Sequence, residues 1–348
     1  MTAGLRHTKR FMKHLRRNNR TIGYVYAASA ALLLVSAVLG ILIGATQLRL
    51  GELIAVICGQ DLGSPNARIL WFVRIPRVIA SLLCGGALAV SGAVIQGVLA
   101  NRLASPSIIG VNAGAGLAVT LSAALGIAGG WPLSAFAFAG AFATVMAVSF
   151  GAKKWGASRG TVILMGVAMN SLLGAVCDAV KILKPEISIL SNDFKIGDFS
   201  GVTYPKLIPA SVVILVSLFV LLTLSNELDV LTLDDEGAKS LGMNTALMRT
   251  LFLMLAAALA GAAVSIAGLL SFVGLLVPHA VRRAATGASR HLIPLCALFG
   301  AGFMTLCDTL SRTLFAPYEL PVGIIMAFLG APFFLFILIK GKGGHGRA

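Results

Sequence analysis

Charge is scarce in this chain, and acid is scarcer still. Only 12% of its 348 residues are charged, and 13 Asp and Glu stand against 28 Lys and Arg. With 57% hydrophobic residues and a mean hydropathy of +0.92, there is too little polar surface to clothe a soluble globule. Other shortages exclude chemistry. The five cysteines, Cys58, Cys84, Cys177, Cys296 and Cys307, show no C-x-x-C spacing, and four lie in apolar runs, so they are packing residues and not a disulfide or metal framework. The five histidines are scattered without metal-ligand spacing, which leaves no metal site to expect. No G-x-x-x-x-G-K-[ST] occurs, so if ATP drives this protein another subunit binds it. The one acidic run, Asp234-Asp235-Glu236, has no second cluster to complete a magnesium site, which weakens a prenyl-transferring membrane enzyme as a reading. The net charge of +15 sits in short clusters between apolar runs, which argues against nucleic acid and for the positive-inside rule.

What the chain has in quantity is apolar runs long enough to cross a bilayer, ~20 residues each. The stretch Arg74-Ile75-Pro76-Arg77 opens one of them, Val78 to Gly97, as a polar mouth before a helix. Gly85, Gly86, Ala87, Ala89, Ser91, Gly92 and Ala93 give that helix a small-residue surface suited to close packing against other helices. We expect an all-α polytopic membrane protein of about ten helices. It comprises a basic segment 1–23, one transmembrane domain 24–340 and a tail 341–348. The apolar core of the first run is too long for a signal peptide. Residues Thr250 to Arg282 can hold one long crossing or two short ones. Two crossings put most of the 28 Lys and Arg on the cytoplasmic side, with both termini cytoplasmic. Gly85 to Gly92 and Gly261 to Gly268 echo one another, either as an inverted repeat or as small-residue bias. A short interfacial helix is expected at 51–57.

Several clusters carry two readings each. In Leu228 to Gly242, Thr232 can cap a short helix whose first turn carries Asp234, Asp235 and Glu236 and which Leu241-Gly242 closes. Such an amphipathic element is either a dock for a soluble partner or a solvated loop. Asp178 and Asp308 lie within apolar runs, as a proton-driven carrier would need. Lys181 and Arg312, at i+3 and i+4, offer them internal partners. Arg74, Arg77 and Arg312, with Glu319 nearby, share one end. They suit an acidic partner or anionic substrate, or they anchor at the headgroups.

Six runs together resemble one family, the FecCD/BtuC-like permeases of binding-protein-dependent ABC importers for iron-siderophores, haem and vitamin B12. They are Arg74 to Arg77, Ser91 to Gly97, Asn101 to Pro106 with Gly110 to Gly116, the acidic segment ending Ser240-Leu241-Gly242, Phe272 to His279, and Glu319 to Gly323 with Gly330-Ala331-Pro332. The resemblance implies a type II importer fold in the bacterial cytoplasmic membrane and a dimer of permeases, homo- or heterodimeric. It implies two ATPase subunits that hold the ATP and magnesium, and no cofactor on this chain. The pathway would be lined by the fifth and tenth helices, with Gly166, Met169, Asn170, Pro321 and Gly323 as candidates. Residues 228–242 would be the coupling helix, meeting the ATPase through Leu231, Asp234, Asp235, Glu236, Ser240, Leu241 and Gly242. Arg74, Arg77 and Arg312 would dock a periplasmic or lipid-anchored binding protein, and Asn101 and Leu103 would form the cytoplasmic gate. The chain departs from the family pattern at Arg102, Ser105, Phe194 and Asp234. A ferric siderophore is the expected cargo, with haem or cobalamin as the alternative.

Overall fold

The computed structural model describes residues 2–44, 51, 64–154, 158–233, 235–285 and 287–342, with side chains for 21–44, 51, 64–154, 158–233, 236–285 and 287–335. Residues 52–57 of the expected interfacial helix, Cys58, Asp234 and residues 343–348 of the tail lie outside the described residues. Among the described residues the fold is all helix. The helices are α1 (Thr2–Leu42), α2 (Pro65–Val98), α3 (Val111–Ala124), α4 (Gly130–Lys154), α5 (Arg159–Leu183), α6 (Ser188–Ile196) and α7 (Tyr204–Thr223). They are followed by α8 (Ser225–Leu231), α9 (Asp235–Ser240), α10 (Thr245–Ala267), α11 (Val273–Ala284), α12 (Ser289–Thr313) and α13 (Val322–Lys342). Helix α1 runs unbroken through residue 23, so no structural boundary separates the basic segment from the first apolar run.

By length and composition, seven of the described helices can cross a membrane: residues 21–42 of α1, and α2, α4, α5, α7, α10 and α12. Helix α3 and the 322–335 part of α13 are apolar but shorter. The stretch 250–282 resolves into two helices. Helix α10 ends at Gly268, whose φ of +72° carries the chain into a turn, and α11 follows with only 12 residues. At 1.5 Å per residue α11 is about 18 Å long, well short of a ~30 Å bilayer core. Among the described residues, then, seven helices are of crossing length and two apolar segments are shorter, and the count of ten is not confirmed.

Helix α2 is the hub. Of its apolar window 83% is buried, against 17% for those of α1 and α5. It begins at Pro65, earlier than the Arg74 mouth suggests, because the helix runs straight through Pro76. The ring has no N–H to donate, and an interior proline ordinarily breaks a helix. Here a π turn over Leu70–Arg74 absorbs the misfit, with the Ile75 N–H reaching Leu70 O. The Trp71 carbonyl is taken by the Tyr204 hydroxyl at 2.7 Å. The same turn leaves Trp71, Phe72 and Val73 exposed while Leu70 and Arg74 face inward.

Small residues then bring neighbours close, as lipid-embedded packing requires. A Cβ on Gly85 would lie 2.3 Å from Gly300 O of α12, and one on Gly92 would lie 2.0 Å from Gly274 O of α11. Against α10, Ser91 Oγ donates to Ala256 O at 2.7 Å and Cys84 Sγ to Ala263 O at 3.5 Å. Contacts that climb one helix as they descend the other mean that α2 and α10 are antiparallel. The two echoing segments thus pack as oppositely directed helices. Cys84, Cys177, Cys296 and Cys307 are free thiols buried in the bundle.

Candidate functional site

At one end the arginines converge on Asp308, which is fully buried on α12. Arg77 donates from Nε to both Asp308 oxygens at 3.1 and 3.2 Å and from Nη1 to Glu319 Oε2 at 2.7 Å. Its Nη2 lies 3.0 Å from Asp308 Oδ1 and 3.8 Å from Asp198 Oδ1. Arg312 sets Nε 3.3 Å from Asp308 Oδ2 and donates from Nη2 to Gly40 O at 3.2 Å. Arg74 donates to Ile41 O and Leu42 O at 2.7 and 2.8 Å, closing the last turn of α1, whose carbonyls have no partner within that helix. The reading of these arginines as an open mouth needs correction. Arg74, Arg77 and Arg312 are 2, 4 and 3% exposed. In this conformation their donors are turned to internal carboxylates and helix ends. The part-exposed groups of the cluster are Glu319 and Asp198. Asp308 is therefore a structural counter-ion. Asp178, held by Lys181 at 3.9 Å, is likewise not a lone acid.

From this end a cavity of about 550 Å³ opens between α6, the 269–272 turn and α13. Lys195, Ile196, Phe272, Gly323, Phe328 and Pro332 are among its lining residues. Of the pathway candidates, Gly323 lines this space, and its N–H donates to Gly197 O at 3.1 Å. Half-buried Pro321 precedes α13, and its carbonyl accepts from the Ile324 N–H. The α5 candidates are placed elsewhere. A Cβ on Gly166 would lie 2.3 Å from Ile108 O, and Asn170 Nδ2 donates to Ser107 O at 2.9 Å, while Met169 packs half-buried on the core. Gly166 and Asn170 thus hold the connector that carries the gate candidates.

In that connector Asn101 Oδ1 accepts from the Leu103 N–H at 2.9 Å, a local turn that offers the backbone an alternative to helix. Leu103 projects 44% exposed, while Ala104, Ser105 and Pro106 are buried. Ser105, one of the departures from the family pattern, shares a hydrogen bond with Ser107 at 2.8 Å, and Arg102 is exposed.

The acidic segment forms two helices where one was expected. Thr232 closes α8 instead of opening α9: its N–H reaches Leu228 O and Asp229 O, and its hydroxyl donates to Asp229 O at 2.6 Å. Leu228 and Leu231 are 1 and 0% exposed, so Leu231 faces the bundle and not the surface. Helix α9 begins at Asp235 and ends as the sequence suggests. Gly242 at φ +81° sends its N–H to Lys239 O, and Met243 sends its own to Ala238 O, a Schellman closure. Glu236, Lys239, Ser240, Leu241 and Gly242 are exposed, and Ala238 seats the helix.

Three residues in these places escaped the sequence reading. Asp229 accepts from the Ser289 N–H with both oxygens, at 2.9 and 3.2 Å, and so caps α12 from 60 positions away. Arg159, at the start of α5, donates to Leu231 O at 3.0 Å and to Leu233 O, across separations of 72 and 74. Asp198 joins the arginine cluster from the loop after α6. No local spacing announces any of these pairings; the nearest signal is acidic or basic type at a helix end.

The comparisons agree with this architecture. Residues 32–340 match the FecCD transport family. The ABC transporter permease protein YvrB of Bacillus subtilis is 36% identical over 97% of this chain and 98% of its own length. The Fe(3+)-citrate import system permease protein YfmD of the same species is 35% identical over 87% of this chain and 91% of its own. The hemin transport system permease protein HmuU of Yersinia pestis is 33% identical over 85% and 96%. A solved inward-facing metal-chelate type ABC transporter superposes with a TM-score of 0.77 at 28% identity, covering 92% of this chain and 99% of that one. With its buried hub helix, its paired short helices at the acidic segment and this end-to-end likeness, the chain belongs to the FecCD transport family, as a membrane permease of an ABC importer whose ATPase is a separate subunit.

Proposed function

We propose that this permease passes a ferric siderophore inward across the bacterial cytoplasmic membrane, as one half of a permease dimer. The observation that carries the cargo reading is the open groove of about 550 Å³ beside α13, a volume within the range of small-molecule sites. Its lining is largely apolar, with Lys195 as a cationic group, a suitable surface for a large chelate with anionic oxygens. Relatives named for ferric citrate and for achromobactin support the iron reading. A second reading, haem or cobalamin, is supported by the relatives named for those cargoes.

In this account α5 and α13 line the route, and the largely exposed apolar face of α5 meets the second permease, a copy or a relative. A periplasmic or lipid-anchored binding protein docks at the arginine end, where Arg74, Arg77 and Arg312 serve by holding the docking face together. Asn101 and Leu103 form the gate at the other end. Asp234, Asp235, Glu236, Ser240, Leu241 and Gly242 meet the ATPase, and Leu231 anchors that segment from beneath. ATP and magnesium are held by the partner ATPase in this account. The partner's ATP-driven closure tilts α5 and α13, exchanging an outward for an inward opening.

The test is competition. Cells dependent on this transporter take up a radiolabelled ferric siderophore, and excess unlabelled ferric siderophore, haem or cobalamin is added in turn. The account expects only the siderophore to compete. Suppression by haem or cobalamin alone would transfer the assignment to that cargo.

A further inference from the structure

We infer that Arg159 is the positioning residue that ties the ATPase-facing segment to α5, so that a displacement of α9 reaches the route-lining helix. This rests on the coupling role proposed above for residues 228–242. An arginine in the first turn of a helix is opposed by the positive end of the helix dipole. Ser158 caps α5 instead, accepting from the Thr161 N–H at 3.0 Å, and Arg159 turns its guanidinium away to another helix end. That end is the last turn of α8. Its terminal carbonyls lack partners within the helix and carry the negative end of its dipole. The planar fork of Arg159 takes Leu231 O, the last residue of α8, and Leu233 O, which lies in the lead into α9. One side chain therefore holds both sides of the joint between the two short helices.

Which neighbour would follow a movement of that joint is decided by packing. Helix α8 is also fixed to α12 through Asp229 and the Ser289 N–H. Helix α12 has 67% of its apolar window buried and belongs to the core around α2. Helix α5 has 17% buried, with Val162, Gly166 and Cys177 as its buried residues. A pull on the joint meets a helix locked in this chain's own core on one side and, on the other, a helix whose remaining face lies at the proposed seam with the second permease, where it can slide. Helix α5 yields, and Arg159 is the polar handle by which it is drawn.

The experiment uses the complete transporter with its ATPase in nanodiscs, Cys58 replaced by Ser. Nitroxide labels replace Leu164 on α5 and Phe150 on α4, both exposed. Their separation is measured by pulsed electron resonance with and without ATP and vanadate. With Arg159 present, nucleotide shifts the separation. Arg159→Met is expected to retain the ATPase and hydrolyse ATP yet lose the shift, and Arg159→Lys to recover part of it, since one ammonium can reach one carbonyl. An undiminished shift in Arg159→Met would overturn the inference. Should that variant fail to assemble, an Arg159→Lys shift equal to the original would overturn it equally. If the unmodified transporter shows no shift with nucleotide, the coupling role itself falls and takes the inference with it.

Discussion

Asp308 illustrates how little of a residue's role its own position in the chain reveals. Its i+4 partner Arg312 is visible from spacing, but its other partner, Arg77, lies 231 residues away. Two buried cations share one fully buried carboxylate, and removing it leaves Arg77 only the part-exposed Glu319 and Asp198 and leaves Arg312 no carboxylate, only acceptors such as the Gly40 carbonyl. Asp308→Asn should therefore lower stability by about 3–5 kcal/mol, the range for breaking a buried pair. Glu319→Gln, which removes the part-exposed partner of the same arginine, should cost about 1 kcal/mol or less. Thermal unfolding of the purified permease in detergent checks both, and equal losses would contradict the burial order. The arginines themselves were legible as a cluster at one end. Their inward direction was not, because it depends on the π turn at Leu70–Arg74 and on the end of α1 lying within reach.

At the scale of elements, hydropathy located every described helix of crossing length, because a run of about 20 apolar residues has few other destinies. It could not see α6, whose nine residues sit in what reads as a polar connector, nor the split of the acidic segment into α8 and α9. Elements this short are held by distant partners such as Asp229 and Arg159 and have little periodicity of their own. The glycine-rich face of α2 was legible as a packing surface, though its neighbours α10, α11 and α12 were not. Two substitutions separate a glycine needed for close approach from one that is not. Gly92→Ala places a Cβ 2.0 Å from the Gly274 carbonyl and should force α2 and α11 apart, with a marked loss of folded protein. Gly23→Ala, in α1 with nothing within 4 Å of the new Cβ, should be neutral or gain up to ~1 kcal/mol of helix stability. Size-exclusion yield and melting temperature distinguish the two.

As a whole the described chain is a tightly built core of α2, α10 and α12, with helices less buried within this chain around it and a short exposed helix at one end. Under the proposed coupling role, that exposed helix is where force enters. Charge reversal by Asp235→Lys with Glu236→Lys should leave the permease folded but abolish coupling between its transport and the ATPase, seen as lost stimulation of ATP hydrolysis by the loaded binding protein. Undiminished stimulation would remove the docking role. The family was legible in six short runs because they recur in one order. Cargo was not, since a wide apolar cavity with one lysine defines a size and a charge more than a shape. The most direct test of the central claim is uptake of a radiolabelled ferric siderophore into vesicles that hold the permease and are supplied with its binding protein. Uptake is measured with and without the ATPase and ATP, and with a proton gradient imposed or collapsed. The account predicts uptake only when ATPase and ATP are both present, whatever the gradient. Uptake that runs on the gradient with the ATPase absent would contradict it.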